Sequence, residues 1–160
     1  MTMTLRLLTL ALLTGSTFVL TECRKKADPS VPQLTKKEEM LTTPVWIYDN
    51  SRVVQTTAAG VATSSPFVFD PCSSDDRTQF HADRKFTIDE GPLVCTQRQS
   101  VTGTWALASN ETELVMTNAQ SHVDRYRIAN LTTSTLSYVF SQETYQDGSR
   151  VEVIANFSAK

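Results

Sequence analysis

The residues able to do chemistry in this 160-residue chain are few and scattered. Asp75 and Asp76, followed by His81, form the one place where carboxylates and an imidazole lie close in sequence. A metal centre needs several ligands converging on one point, and His122 is far along the chain with no matching spacing. An ordinary solvated acidic loop is the simpler reading, and no metal is expected. Serines are plentiful, but none sits in a G-x-S-x-G turn that would expose a nucleophile. The five glycines stand singly, so no glycine-rich phosphate loop exists. Asn110-Glu111-Thr112, Asn130-Leu131-Thr132 and Asn156-Phe157-Ser158 fit the glycosylation sequon. With neither an acid–base pair nor an activated nucleophile, no catalytic residue and no cofactor are expected, and the chain reads as a non-enzyme.

The remaining reactive groups are three cysteines, Cys23, Cys72 and Cys95. The first ends an apolar stretch and is followed at once by Arg24, Lys25 and Lys26. One basic residue, Arg6, precedes the run Leu7 to Leu20, which Thr14, Gly15, Ser16 and Thr17 interrupt. A spanning helix needs about 20 mostly apolar residues, so this shorter run fits an export signal over residues 1–22. Leu20-Thr21-Glu22-Cys23 resembles the lipobox of bacterial lipoproteins, with Leu20 and Cys23 in the matching places and Glu22 where that family carries a small residue. The resemblance implies cleavage before Cys23 and a diacylglycerol on its thiol. The protein would then be held on a membrane of the bacterial cell envelope, more readily on the periplasmic side than at the cell surface.

An exported chain meets an oxidising compartment in which thiols pair. Cys72 and Cys95 lie 23 positions apart, and pairing them leaves Cys23 as the odd thiol that lipidation would use. Closing that loop is worth roughly 3 kcal/mol in the chain-entropy view. Charge excludes a further class of partner. Residues 23–42 carry five basic and three acidic residues, and the domain from Thr43 onward nine basic and thirteen acidic. Without a basic stripe carrying interleaved aromatics, nucleic acid is not an expected partner.

The elements that position these residues read clearly from Thr35 onward. Residues 23–42 are a polar tether ending in one short helix. Thr35 and Glu38 have capping-box spacing, so the helix starts at Lys36, and Pro44 marks its end. From there the apolar period is two. VWIYD at 45–49, continued by SRVVQTT, puts Trp46 and Tyr48 on one face. AAGVATSSP at 58–66 reads as a loop, and Phe67-Val68-Phe69 as a short strand. Strands follow around Phe80 and around Phe86 and Ile88, joined by a turn at Ala82 to Arg84. TGTWALA, ELVMT, RYRIANL, TLSYVFS and VEVIANF complete the series, the last two joined by a turn at Asp147-Gly148. Eight to ten short strands at even spacing predict an all-β barrel or sandwich over residues 43–160.

Beyond the lipobox, LTTPVWIY, CSSDDRTQFHADRKFTID, a second cysteine, GTWAL, NETELVM and YRIANLTTSTL together resemble the bacterial lipocalin-like lipoproteins. That resemblance implies an antiparallel up-and-down eight-stranded barrel, with Trp46 packing across one end and a cavity for a small hydrophobic ligand. Pro44 stands where lipocalins often carry a glycine. Trp46, Phe80, Phe86, Trp105, Tyr126, Tyr138, Phe140 and Phe157 are the candidate lining of such a cavity. They serve equally as a packed core, since an eight-stranded barrel is just wide enough to be filled by side chains or to hold one small ligand. Two functions follow: a lipid-anchored binder of a small hydrophobic ligand, or a filled structural module whose surface contacts another envelope protein.

Overall fold

The structure is a computed structural model, and it describes residues 33–94 and 100–160. The expected export signal, most of the expected tether, Cys23 and Cys95 lie outside the described residues.

The helix forms where the capping signal places it. α1 spans Lys36–Thr42; the Thr35 hydroxyl accepts from the Glu38 amide, and the Glu38 carboxylate accepts from the Thr35 amide at 2.9 Å. At its other end Pro44 follows directly on the cap residue Thr43, whose amide still donates to the Glu39 carbonyl. After it come nine strands: β1 (Val45–Thr56), β2 (Ala62–Phe67), β3 (Arg77–Phe80), β4 (Lys85–Asp89), β5 (Ser100–Ala108), β6 (Glu113–Asn118), β7 (Val123–Leu131), β8 (Thr135–Thr144) and β9 (Arg150–Ala159). All pair antiparallel in one sheet.

The sheet closes on itself. β3 to β9 pair in chain order, and β9 returns to β1 along ten residues of β1, from Trp46↔Ala159 to Thr56↔Arg150. The other edge of β1 is divided: Val45 to Ile47 pair with β3, and Ser51 to Thr56 with β2. Strands β1 and β3–β9 therefore form a closed ring, and β2 is a spur on its outside edge. Closure removes the free edges that would otherwise pair with another chain.

Inside the ring Leu41, Trp46, Phe80, Phe86, Trp105, Leu114, Met116 and Leu136 form one buried cluster, with Ile88, Leu107, Tyr126, Ile128, Tyr138 and Phe157 packed against it. α1 contributes Leu41 to this cluster and covers one end of the ring. Lys37 donates to the Glu111 carbonyl in the β5–β6 turn, and Arg84 in the β3–β4 turn pairs with Glu38. The β3–β4 turn lies as expected, with Arg84 at φ 69°. Gly148, at φ 84°, takes the left-handed position of the β8–β9 turn that its lack of a Cβ makes cheap.

Two segments differ from the reading of the sequence. The stretch expected as a loop over 58–66 supplies strand β2, while Val68 and Phe69, expected in a strand, lie beyond its end. All six β2 residues are exposed, so no apolar alternation announces the strand; its pairing with β1 makes it. The second difference is Phe140, expected on one face with Leu136 and Tyr138. The register of β8 against β9 shifts between Val139 and Ser141. At that bulge Phe140 stands at the rim of the ring, 47% exposed and still in contact with Tyr126 and Phe69.

Candidate ligand cavity

The ring interior is built from the two tryptophans inward. Trp46 lies in β1 with alternating neighbours, so its indole enters the ring while Val45 and Ile47 face out. It is fully buried, and its Nε1 donates to the Leu41 carbonyl at 2.9 Å, satisfying the last turn of α1. Trp105 is buried too, and its Nε1 donates to the His81 carbonyl at 3.0 Å. The Arg84 guanidinium lies 4.8 Å from the Trp105 ring centroid, a cation–π contact. Phe80 packs edge-on against Trp105, with centroids 5.8 Å apart, and touches Phe86 at 6.4 Å.

The other aromatics form a chain of rings running away from α1. Tyr126 stacks on Tyr138 at 4.6 Å and Tyr138 on Phe157 at 5.1 Å; Phe157 meets Tyr48 edge-on at 5.8 Å. Phe69, from the segment after β2, sits edge-on to both Tyr48 and Phe140, and Phe140 stacks on Tyr126 at 6.0 Å. The contacts close into a circuit of six rings: Phe69, Phe140, Tyr126, Tyr138, Phe157 and Tyr48. Burial pushes the Tyr138 phenol well above its ordinary range, aided by Tyr126 and Asp124. Burial, with Asp124, pushes Tyr126 up to about 12. Both phenols are neutral at physiological pH.

Little space is left between these side chains. Trp46, Thr78, Phe80, Ile88, Met116, Leu136, Tyr138 and Phe157 surround a void of about 20 Å³, room for roughly one water. Ordinary small-molecule sites hold about 300 Å³ or more. Of the eight expected lining residues, Trp46, Phe80, Tyr138 and Phe157 border this void. Phe86, Trp105 and Tyr126 pack behind them, and Phe140 stands at the outer rim. Larger hollows lie elsewhere. One of about 620 Å³ runs along Val45, Ile47, Arg77, Gln79, Thr87 and Asp89, and one of about 340 Å³ lies between Tyr48–Ser51 and the segment from Pro66 to Pro71.

The acidic loop holds together differently from a metal site. Asp75 Oδ2 accepts from the Leu93 amide at 3.0 Å. Its carboxylate packs so tightly under Gly91 that a Cβ there would lie 2.1 Å from Asp75 Oδ2. The Asp76 carboxyl is pushed above its ordinary range, chiefly by burial and then by Glu90 and Asp75, with a smaller contribution from Asp89; a hydrogen bond from the Gly91 backbone opposes this. Oδ1 of Asp75 and Oδ1 of Asp76 are buried with no hydrogen-bond partner among the described residues. His81 contributes its backbone: its amide bonds the Lys85 carbonyl, and its own carbonyl takes the Trp105 indole. His122 pairs with Asp124 at 3.1 Å on an exposed turn. Among the described residues no group of three or more His, Cys, Asp or Glu converges as metal ligands would. Cys72 is held in a disulfide.

Sequence reasoning missed Phe69 and Leu41, and it placed Tyr48 on the Trp46 face without counting it among the lining residues. Leu41 follows three positions after the buried Glu38 on α1, a helical spacing that marks it. Phe69 has no such signal, since it lies outside any regular element. No protein-family model matches this chain, and no curated protein matches it significantly.

Proposed function

We propose that this domain is a non-catalytic interaction module of the bacterial cell envelope, a filled lipocalin-like barrel carried on a lipid-anchored chain. The carrying observation is the interior: a void of about 20 Å³ leaves no room for a small hydrophobic ligand inside the ring, and its outside becomes the working surface. Closure of β1 onto β9 and the chain-order pairing of β3 to β9 support the barrel reading. The lipobox-like Leu20-Thr21-Glu22-Cys23 supports the anchor, and the oxidised Cys72 fits a bridge to Cys95 in an exported domain.

Native mass spectrometry of the protein from its own membranes tests the filled interior. The expected spectrum is the polypeptide with its covalent lipid and nothing else; a stoichiometric apolar companion would overturn the module reading in favour of ligand transport. The anchor is tested separately by Cys23→Ser, which should release the chain from membranes and abolish labelling by a fatty-acid probe. Continued membrane attachment of that variant would sink the lipid assignment. Ready reaction of Cys72 and Cys95 with a thiol reagent in the unreduced, denatured protein would rule out the bridge.

A further inference from the structure

Strand β2 pairs along one edge only, with β1, and among the described residues its other edge has no strand beside it. Its backbone direction follows from the turn that precedes it. The Thr57 amide donates to the Val61 carbonyl, and Gly60 takes the left-handed position of a three-residue hairpin loop. Counting from that bonded pair, antiparallel alternation makes Gln55↔Thr63, Val53↔Ser65 and Ser51↔Phe67 the hydrogen-bonded pairs. Ala62, Ser64 and Pro66 therefore turn their backbone groups away from β1. Pro66 has no N–H to offer, and it stands where that N–H would meet no partner in β1.

Open edges are commonly guarded by charge or by proline; β2 reads Ala-Thr-Ser-Ser-Pro-Phe, with no charge and with Pro66 removing one donor at one end of the edge. Its flanks are exposed and apolar, with Val61 at 62%, Phe67 at 38% and Val68 at 80% exposure. We propose that β2 pairs with β2 of a second copy of this chain, antiparallel about a two-fold axis at Ser64. In that register Ser64 faces Ser64 of the partner, Thr63 faces Ser65, Ala62 faces Pro66, and Val61 faces Phe67 on both sides of the axis. Each position of an isologous contact meets its own surface, so an uncharged edge creates no like-charge repulsion. The two exposed apolar residues at opposite ends of the strand cover one another. The Ser64 pair exchanges two backbone hydrogen bonds, and each Ala62 amide reaches one Pro66 carbonyl. Assembly stops at two, because pairing consumes the free edge. The contact goes beyond the module reading and does not depend on the lipid anchor.

So small an interface gives a weak dimer, with dissociation on the order of 10–100 µM. Ser64→Cys is the direct test on the full-length chain, in its membranes and after mild detergent extraction. Cα atoms of a hydrogen-bonded antiparallel pair lie about 5.5 Å apart, within the span of a disulfide. Ser64→Cys should therefore form a covalent dimer on oxidation, while Ala62→Cys, opposite Pro66, should not. Ser64→Lys places two ammonium groups side by side at the axis and should weaken the dimer at least tenfold, with recovery in high salt. Equal cross-linking at positions 62 and 64 would overturn the register and the proposal with it. So would sedimentation of the unmodified chain as a monomer up to about 1 mM.

Discussion

Replacing Glu38 by Gln tests how α1 is fastened over the end of the ring. Both carboxylate oxygens of Glu38 are in use. Oε2 accepts from the Thr35 amide at 2.9 Å, closing the capping box, and Oε1 accepts from Arg84 Nη1 at 2.5 Å. Arg84 in turn lies over Trp105, so one carboxylate links the helix, the β3–β4 turn and the core. A glutamine keeps the shape but replaces one oxygen with an NH2, which must face a donor whichever way the amide turns. Loss of a capping interaction costs about 0.5–2 kcal/mol. The ion pair adds less than a fully buried one, because the Arg84 side chain is 37% exposed and solvent screens it. Together these put the cost at about 1–3 kcal/mol at pH 7. The hydrogen bond from Arg84, joined by the Thr35 amide and the Arg84 charge against opposing burial, holds the Glu38 carboxyl below the usual 4.5. A carboxyl whose folded-state value is depressed contributes stability above its unfolded value and loses it as pH falls through the folded one. The gap between wild type and Glu38→Gln should therefore shrink in acid below the ordinary carboxyl range. Urea unfolding followed by tryptophan fluorescence at pH 7 and pH 3 measures both. A cost below about 0.5 kcal/mol at neutral pH, or an equal cost at the two pH values, would refute the linkage, since a loss that large is what the capping interaction alone supplies.

Two further stability measurements probe the interior and the acidic loop. Trp46→Ala should cost about 3–5 kcal/mol as a large-to-small change in a packed core. Trp46→Phe should cost less, mainly by leaving the Leu41 carbonyl without its donor; if unfolding midpoints barely move for either, the ring is not filled as described. Asp76→Asn should stabilise the protein at pH 7. The Asp76 carboxyl is raised when folded, so its penalty is absent well below the unfolded value, grows as pH rises through the interval up to the folded one, and is complete above it. The gain should vanish in acid well below 3.8, the ordinary value for this group, and a thermal shift that is the same in acid and at neutral pH would contradict that assignment.

What the sequence made legible was whatever local chemistry decides. Thr35 and Glu38 define the start of α1, and Pro44 its end, because both signals act within one turn of backbone. The alternation of Tyr126 and Ile128 against Arg125 and Arg127 placed β7 for the same reason: one face is buried and the other is wet. The reading failed where a neighbouring strand settles the conformation. β2 has no buried face, so its residues carry no period, and only the ladder with Arg52 to Thr56 holds them extended. Phe140 carries the right period for the interior and ends half-exposed at its rim, where one extra residue in β8 opposite β9 breaks the alternation.

The same two departures bear on function. At the rim Phe69, from a segment with no regular structure, packs edge-on against Phe140 and Tyr48 and completes the ring of aromatic contacts. A cavity argued from aromatic content alone would count Phe140 as lining and overlook Phe69. β2, unread because it is uncharged and exposed, is for those two reasons the edge on which a second chain can pair. The composition that hid the strand from the sequence is the composition that leaves its edge without charge.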